Sequence, residues 1–368
     1  MILSIVFILC IAVLSVQLIY LLTFIAAFSK ERRTPTINNS PGVSVIVCAH
    51  DEEENIRALV PVLLSQNYPS YEVIIVDDRS NDGTYDMLLK MTSENPKLRM
   101  VTVRDLPKHM TGKKFALTMG IKAAKYDWVL FTDADCRPGP NWIHGVSQQF
   151  INDNNIVLGF SAYETQPGIL NAFIRFETFL TAIQYIGFTL LGRPYMGVGR
   201  NLAYKRNLFL ESKGFNDHLD VIGGDDDLFV NQHAKAATTG LALGKDVVVH
   251  SIPKKTWREY FDQKLRHLSV GKRYKMGDRF LLGLFMSTWV LWPFTILSLA
   301  FLAMHAAVVG GMILLRWICL AALFSMGSRT VGEPFEVWKV PFLDFIYAFY
   351  YLVAAPIALV TKRVRWKI

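Results

Sequence analysis

VSVIVCAHDEEENIRALVPVLLSQNYPSYEVIIVDDRSNDGT, residues 43–84, is the stretch that decides the fold. Val43–Cys48 is a short β-branched run and reads as a buried strand. Glu52 to Ser65 has helical spacing, with Ile56, Leu59, Val60 and Leu63 on one side; Pro61 inside it is a signal for a kink or an end. Tyr71–Val76 is a second strand and runs straight into Asp77-Asp78. The rhythm continues with a helix over Thr84–Met91, a strand over Leu98–Val103 and a helix over Lys113–Ala124. A fourth strand, Trp128–Thr132, ends in Asp133-Ala134-Asp135. Strands alternating with helices predict the α/β class, a mostly parallel sheet with helices on both faces. In such sheets ligands bind beyond the carboxyl ends of the strands, where both acidic clusters fall.

Outward from this core the chain turns apolar. Of its 368 residues 52% are apolar and 19% charged, and the mean hydropathy of +0.27 excludes a disordered chain. Residues 1–29, 281–315 and 345–361 carry no Asp, Glu, Lys or Arg. Met1 to Phe28 is long enough to cross a bilayer. It lacks the basic start of a cleaved signal and is followed by Lys30, Arg32 and Arg33, so it reads as an anchor whose C-terminal end is cytoplasmic. Phe280–His305, Ala306–Phe324 and Pro341–Val360 are three further spanning candidates. If all three span, the basic end (Lys362, Arg363, Arg365, Lys367) falls outside, and Arg316 sits inside the second; one segment is therefore expected to be re-entrant or interfacial. Ile169–Leu191 contains Arg175 and Glu177 and reads as an interfacial helix or a buried one.

The expected division is an anchor (1–29), a cytoplasmic domain (40–253, with the interfacial or buried helix at 169–192), a basic amphipathic segment (254–279) and C-terminal membrane helices (280–368). The net charge of +8 is local: Lys254 to Arg279 holds nine Lys/Arg against three acidic residues. Basic clusters beside apolar runs mark a membrane face, and no recognition motif accompanies them, so nucleic acid is not expected as a partner. Cys10, Cys48, Cys136 and Cys319 form no CxxC pair and read as reduced structural thiols.

Several residues carry chemistry. Asp77 and Asp78 are more than the cap of a following helix needs, and strand-end carboxylates accept hydrogen bonds from a base or ribose. Asp133 and Asp135 alternate along an extended segment and can converge; two close carboxylates repel unless a cation sits between them. Gly223-Gly224-Asp225-Asp226-Asp227 is a third cluster, either a solvated or calcium-like loop or a source of a general base. Lys113 at a helix start suits a phosphate or simply faces solvent. His50, Asp51 and Glu52 to Glu54 open the first helix. In the basic segment Gln263, Arg266 and His267 lie on a helix with Trp257 and Tyr260; that helix lies at the interface or turns its polar groups toward a diphosphate.

In this order the motifs resemble the membrane-anchored members of glycosyltransferase family 2, inverting enzymes of GT-A fold, with similarity to ceramide and bacterial lipid glycosyltransferases. The resemblance covers about residues 40–275: His50-Asp51-Glu52-Glu53, Asp77-Asp78, Gly112-Lys113, Asp133-Ala134-Asp135, Gly199-Arg200-Asn201-Leu202-Ala203, Gly224-Asp225 and Gln263…Arg266-His267. It implies a Rossmann-like GT-A domain flanked by transmembrane helices in the cell membrane, with the domain in the cytoplasm. It implies a nucleotide-sugar donor, expected to be a UDP-sugar, and a lipid or lipid-linked acceptor. His50, Glu52, Asp77, Asp78, Lys113, Asp133, Gln263, Arg266 and His267 would bind substrate. Asp133 and Asp135 would hold Mg²⁺ or Mn²⁺. Asp225, or Asp226 next to it, would take the acceptor's proton. His267 stands where processive synthases of the family carry Trp, which favours a single transfer over polymer synthesis. A processive polysaccharide synthase and a non-catalytic nucleotide-sugar or lipid-binding membrane protein are the alternatives.

Overall fold

In the computed structural model the described residues are 1–30, 40–107, 110–151, 153–219, 221–302 and 304–360. Arg32, Arg33 and the basic cluster at 362–367 lie outside them, as does most of the linker at 35–41. The chain begins with α1 (Ile2–Ser29). There follow β1 (Val43–Ala49), α2 (Glu53–Leu64), β2 (Tyr71–Asp78), α3 (Thr84–Glu94), β3 (Leu98–Val103), α4 (Gly112–Ala123) and β4 (Trp128–Phe131). α2 runs one turn past Pro61, because the proline lies near the helix end where few downstream bonds depend on it. Beyond β4 the pattern breaks into short pieces: β5 (Cys136–Pro138), α5 (Trp142–Ser147), β6 (Ile156–Leu158), β7 (Ser161–Tyr163), the long α6 (Ile169–Leu190), β8 (Leu202–Lys205), α7 (Arg206–Glu211), α8 (Asp227–His233), β9 (Thr239–Leu241) and β10 (Val249–Ser251). The chain ends in α9 (Trp257–Val270), α10 (Met276–Phe301), α11 (Ala306–Val331) and α12 (Val340–Val360).

The main sheet has the order β3-β2-β1-β4-β8-β6-β9. β1 pairs in parallel with β2 and β4, and β2 with β3, while β8 runs antiparallel to both β4 and β6. Alternation in β1 explains the layers: Val43, Val45 and Val47 join α2 in one core, while Ile46 packs with Ile74 and with Ala116 and Ile121 of α4 in another. The chain moves outward from β1 through β2 to β3, then returns to β4 on the other side of β1. That reversal opens a crevice at the carboxyl ends of β1 and β4. A second, small sheet has the order β5-β10-β7.

Among the described residues four helices are long and apolar enough to cross a membrane: α1, α10, α11 and the Val337–Ala358 stretch that holds most of α12. Where a re-entrant or interfacial piece was expected, each C-terminal segment is one continuous helix among the described residues, long and apolar enough to span. The charge that argued for one is accommodated instead. Arg316 is fully buried and pairs with Asp344 of α12, one of its two contacts measuring 3.0 Å. Its Nε donates to Gln17 of α1, and its guanidinium lies 4.9 Å from the ring centre of Trp289 and 5.4 Å from that of Trp292. A cation at this depth is tolerated because every face of it is met.

Arg316→Met leaves Asp344 as a lone buried charge, which costs on the order of 3–5 kcal/mol. Thermal unfolding in detergent should show a large drop for that variant and substantial recovery in Arg316→Met/Asp344→Leu. Equal losses in the single and double variants would refute the pairing as the stabilising element.

Candidate active site

Strand register brings the expected acids together. Ala49 pairs with Asp77 across β1 and β2, and Ile46 with Phe131 across β1 and β4, so His50, Asp77, Asp78 and Asp133 emerge at one edge. The His50 ring nitrogen Nδ1 is 2.6 Å from the Asp78 carbonyl oxygen. Arg79 donates from Nε to Asp78 at 2.9 Å. Asp77 is buried with Oδ1 unpartnered, and burial pushes its carboxyl up. Glu52 accepts from Asn55 and is also pushed up, by burial first and by Asp135 and Asp133 as well.

A cavity of about 1220 Å³ opens beside this edge and is lined by Lys113, Asp133, Asp135, Asp225, Gln263, Arg266 and His267. His50, Glu52, Asp77 and Asp78 are not in its wall. Lys113 is the centre of charge. Its Nζ donates to Asp133 at 3.1 Å and lies 3.4 Å from Asp225. Burial would push Asp133 up, but Lys113 and Arg200 outweigh it and hold the carboxyl below the usual range. Asp135 moves the other way, raised by burial and by Asp133. The next residue, Lys114, turns into the protein and donates to the carbonyls of His218 and Val221 at 2.5 and 2.6 Å. One Lys thus faces the cavity while its neighbour anchors the loop that leads to Asp225.

That loop needs its glycines. Gly223 and Gly224 have φ of +91° and +75°, and a Cβ on Gly224 would lie 2.6 Å from Leu228. The three aspartates after them are not equivalent. Asp226 accepts from the backbone N–H of Asp227 and of Gly199, so both its oxygens serve the fold. Asp227 accepts from the Leu228 N–H and from the Tyr274 hydroxyl at 2.8 Å. Asp225, in contrast, meets Lys113 at the cavity wall. From the basic segment, Gln263 donates to the Tyr163 hydroxyl at 3.3 Å and leaves Oε1 unpartnered. His267 opens onto the cavity, and desolvation there, with Lys264, Arg200, Arg266 and Lys113 around it, pushes its imidazole below the usual range.

Residues 199–203 are among the stretches that carry the resemblance. Asn201 in that stretch belongs to the scaffold: it accepts from Trp142 and donates to the carbonyls of Phe160 and Val247. Sequence reading missed Tyr163, Glu177, Lys264 and Tyr274, all in the cavity wall. Glu177 did carry a signal, since a lone carboxylate in an apolar helix implies buried partners. No signal marks Tyr163 or Tyr274.

Burial, and then Asp225, raise Asp226 to about 6. Its folded pKa exceeds its unfolded one near 4, so its contribution to stability is present below about pH 4 and lost as pH rises through about 6. Asn still caps a helix but does not titrate. The melting-temperature gain of Asp226→Asn over wild type should therefore grow between pH 4 and 7 and then level off. A gain independent of pH would refute the assignment.

Comparison with known proteins bears on what this edge is for. A model of "Glycosyl transferase family 2" matches residues 44–210. The chain is 29% identical over 218 residues to glycosyltransferase AglE of Haloferax volcanii, covering 56% of this chain and 66% of that protein. It is 27% identical over 201 residues to the probable glycosyltransferase YdaM of Bacillus subtilis, covering 51% and 47%. The matched stretches thus span about half to two thirds of these relatives' own lengths. Among solved structures, a mannosyltransferase from Pyrobaculum calidifontis, in complex with GDP-Man and Mn²⁺, superposes with a TM-score of 0.66 at 20% identity, over 99% of this chain and 100% of that one. The likeness is one of fold and extends through the apolar helices. Residues 44–210 therefore form a glycosyl transferase family 2 domain of GT-A fold, on a chain with four helices of membrane-spanning length.

Proposed function

We propose that this protein is a membrane-bound inverting glycosyltransferase that moves one sugar from a nucleotide-sugar to a lipid or lipid-linked acceptor, with its catalytic domain at the cytoplasmic face of the cell membrane. One observation carries the reading: a single cavity is lined both by Lys113, Asp133 and Asp225 and by the apolar helices α10 and α12. Its far wall is built from α10, between Met276 and Leu291, and from α12, with Leu352, Ala355 and Ala358. Sixteen residues of helix extend over about 24 Å, enough to shelter most of an acyl or isoprenoid tail. A polar reaction site opening into an apolar groove fits an acceptor whose hydroxyl or phosphate is tied to a lipid. The domain boundaries follow the same reading, with 40–253 as the catalytic unit, 254–279 at the interface, and 1–29 and 280–368 in the membrane.

The roles follow from the chemistry of each group. Asp77 and Asp78, with His50 and Glu52 beside them, would take the base and ribose of the donor, expected to be a UDP-sugar. Asp133 and Asp135 would hold Mg²⁺ or Mn²⁺. No group of three or more His, Cys, Asp or Glu side chains suited to a cation occurs among the described residues, so the pair fits only together with oxygens of the donor's diphosphate. Asp135, raised by burial and then by its neighbour's charge, would be relieved by such a cation. When bound, the cation neutralises charge on the departing diphosphate. Lys113, Gln263, Arg266 and His267 complete the donor side, with His267 donating or accepting as a neutral imidazole.

Asp225 takes the acceptor's proton, because it is the carboxylate of the triplet whose oxygens are not spent on backbone. Asp226, the second candidate, is bound by two N–H groups and is better suited to hold the loop. The acceptor oxygen forms its bond to the anomeric carbon from the face opposite the diphosphate, and the breaking carbon–oxygen bond leaves its electron pair on phosphate.

Nucleotide release from UDP-, GDP- and dTDP-sugars, measured with membrane lipid extract and Mn²⁺, tests this. Release should require lipid, and Asp225→Asn should lower it by about 10²–10⁴-fold with donor affinity nearly unchanged. Normal turnover in that variant would overturn Asp225 as the base, and a polymeric product would favour a processive synthase. A Cβ on Gly283 of α10 meets nothing within 4 Å, so a side chain there projects into open space along the groove. Gly283→Leu should raise KM for a long-chain acceptor more than for a short-chain analogue. Equal effects on both would argue against the groove as the tail site.

A further inference from the structure

Arg200 does more than lend its charge to hold Asp133 low. It lies just ahead of β8, which runs antiparallel to β4 with Leu202 opposite Phe131. Two residues back from Leu202 is Arg200, and two residues on from Phe131 is Asp133, so antiparallel register brings the two to the same end of the sheet. Arg200 lines the cavity together with Asp133 and Asp135. Its guanidinium carbon stacks 4.4 Å from the ring centre of Tyr163. Tyr163 in turn accepts from Gln263 of α9 through its hydroxyl.

Two features separate Arg200 from a scaffold cation. Its Nη1 is buried and has no hydrogen-bond partner, a costly state for a charged donor unless a ligand completes it. One oxygen of each neighbouring carboxylate is engaged elsewhere, Asp133 Oδ1 with Lys113 and Asp135 Oδ1 with Ser251 and Cys136, and their charges act on Arg200 without a hydrogen bond to Nη1. The backbone on both sides of Arg200 is also pinned. Gly199 N–H donates to Asp226 at 2.7 Å, and Asn201 makes three buried hydrogen bonds to Trp142, Phe160 and Val247. The fold thus spends four hydrogen bonds to hold in place a guanidinium that is itself incompletely satisfied. Such a donor, fixed before the reaction, costs no reorganisation when charge develops beside it.

We propose that Arg200, seated on Tyr163, binds the distal phosphate of the donor's diphosphate and stabilises the charge that phosphate gains on departure. This rests on the glycosyltransferase reading and adds a catalytic residue to it. As the acceptor oxygen bonds to the anomeric carbon, its proton passes to Asp225; the bond from that carbon to the distal phosphate oxygen breaks, and the electron pair stays on the phosphate. Arg200 donates from Nη1 to that oxygen. A planar, stacked guanidinium suits this better than an ammonium, because its donors keep their direction while the leaving group's charge rises.

Calorimetric titration of UDP and of GDP, each with Mn²⁺, into the full-length protein in detergent tests the proposal. UMP and GMP serve as ligands without the distal phosphate. Arg200→Met should weaken binding of the preferred diphosphate by about tenfold or more, leave the monophosphate nearly unaffected, and lower kcat. Arg200→Lys keeps the charge and should recover part of both losses. Tyr163→Phe keeps the stacking ring and should stay near wild type, whereas Tyr163→Leu should follow Arg200→Met in part. Unchanged diphosphate affinity in Arg200→Met overturns the proposal, whether turnover persists or is lost, since loss of turnover alone would put the residue on the acceptor. Arg200→Lys no better than Arg200→Met also overturns it. Failure of the wild-type protein to bind either diphosphate would instead bring down the glycosyltransferase reading, and this proposal with it.

Discussion

Glu177 is a carboxylate buried in the middle of α6, and the joint between the sheet domain and the membrane helices is organised around it. It pairs with Lys264 of α9, accepts from the hydroxyls of Tyr260 on α9 and Tyr351 on α12 at 2.9 Å each, and accepts from Thr181 one turn along its own helix. A charge this deep is costly unless each lone pair is met, and here the partners come from three different helices. The same α9 carries Gln263, Arg266 and His267. Where those side chains stand relative to Asp133 and Asp225 therefore depends on contacts made to α12, a helix of the apolar end of the chain. α9 by itself is polar and short, with no reason to hold one orientation in water.

A second tie works in the same direction. Asp227 accepts from Tyr274, and Asn231 of α8 donates to Asp278 in the first turn of α10 while accepting from the Lys275 N–H. Arg193 completes the group by donating to Asp278 at 2.9 Å. The loop that presents Asp225 is thus attached at one end to Lys114 of α4 and at the other to the start of a membrane helix. Both ties place a cavity wall made of sheet residues against one made of α10 and α12. This arrangement is what the proposed transfer would use to bring a nucleotide-sugar and a lipid acceptor into one reaction space.

Much of the fold was legible locally. β1 to β4 and the helices between them followed from β-branched runs and 3.6-residue spacing, because each element buries a face that its own sequence marks. Asp77-Asp78 and Asp133-Ala134-Asp135 were legible for the same reason: they directly follow strands whose ends the pattern locates. After Phe131 the legibility drops. β5, β6, β7, β9 and β10 are three residues each, too short for any period to register, and β8 runs against its neighbours, which no local pattern announces. Arg316 looked like a reason to doubt a spanning helix, and α11 is nonetheless continuous, because Asp344 lies 28 residues away in sequence and next to it in space.

The sequence by itself determined which groups are available: an α/β domain with carboxylates at strand ends, a Lys at a helix start, a basic helix, and apolar segments of membrane length. Composition and periodicity encode these because they depend on each residue's own surface and its near neighbours in the chain. Only the tertiary structure decided what each group does. It turned Lys113 to the cavity and Lys114 to the scaffold, gave Asp226 to the backbone and left Asp225 beside Lys113, and set Arg200 at the end of the sheet where Asp133 emerges. Those choices rest on hydrogen bonds and ion pairs between residues tens to hundreds of positions apart, and their strength comes from burial that exists only once the chain is folded.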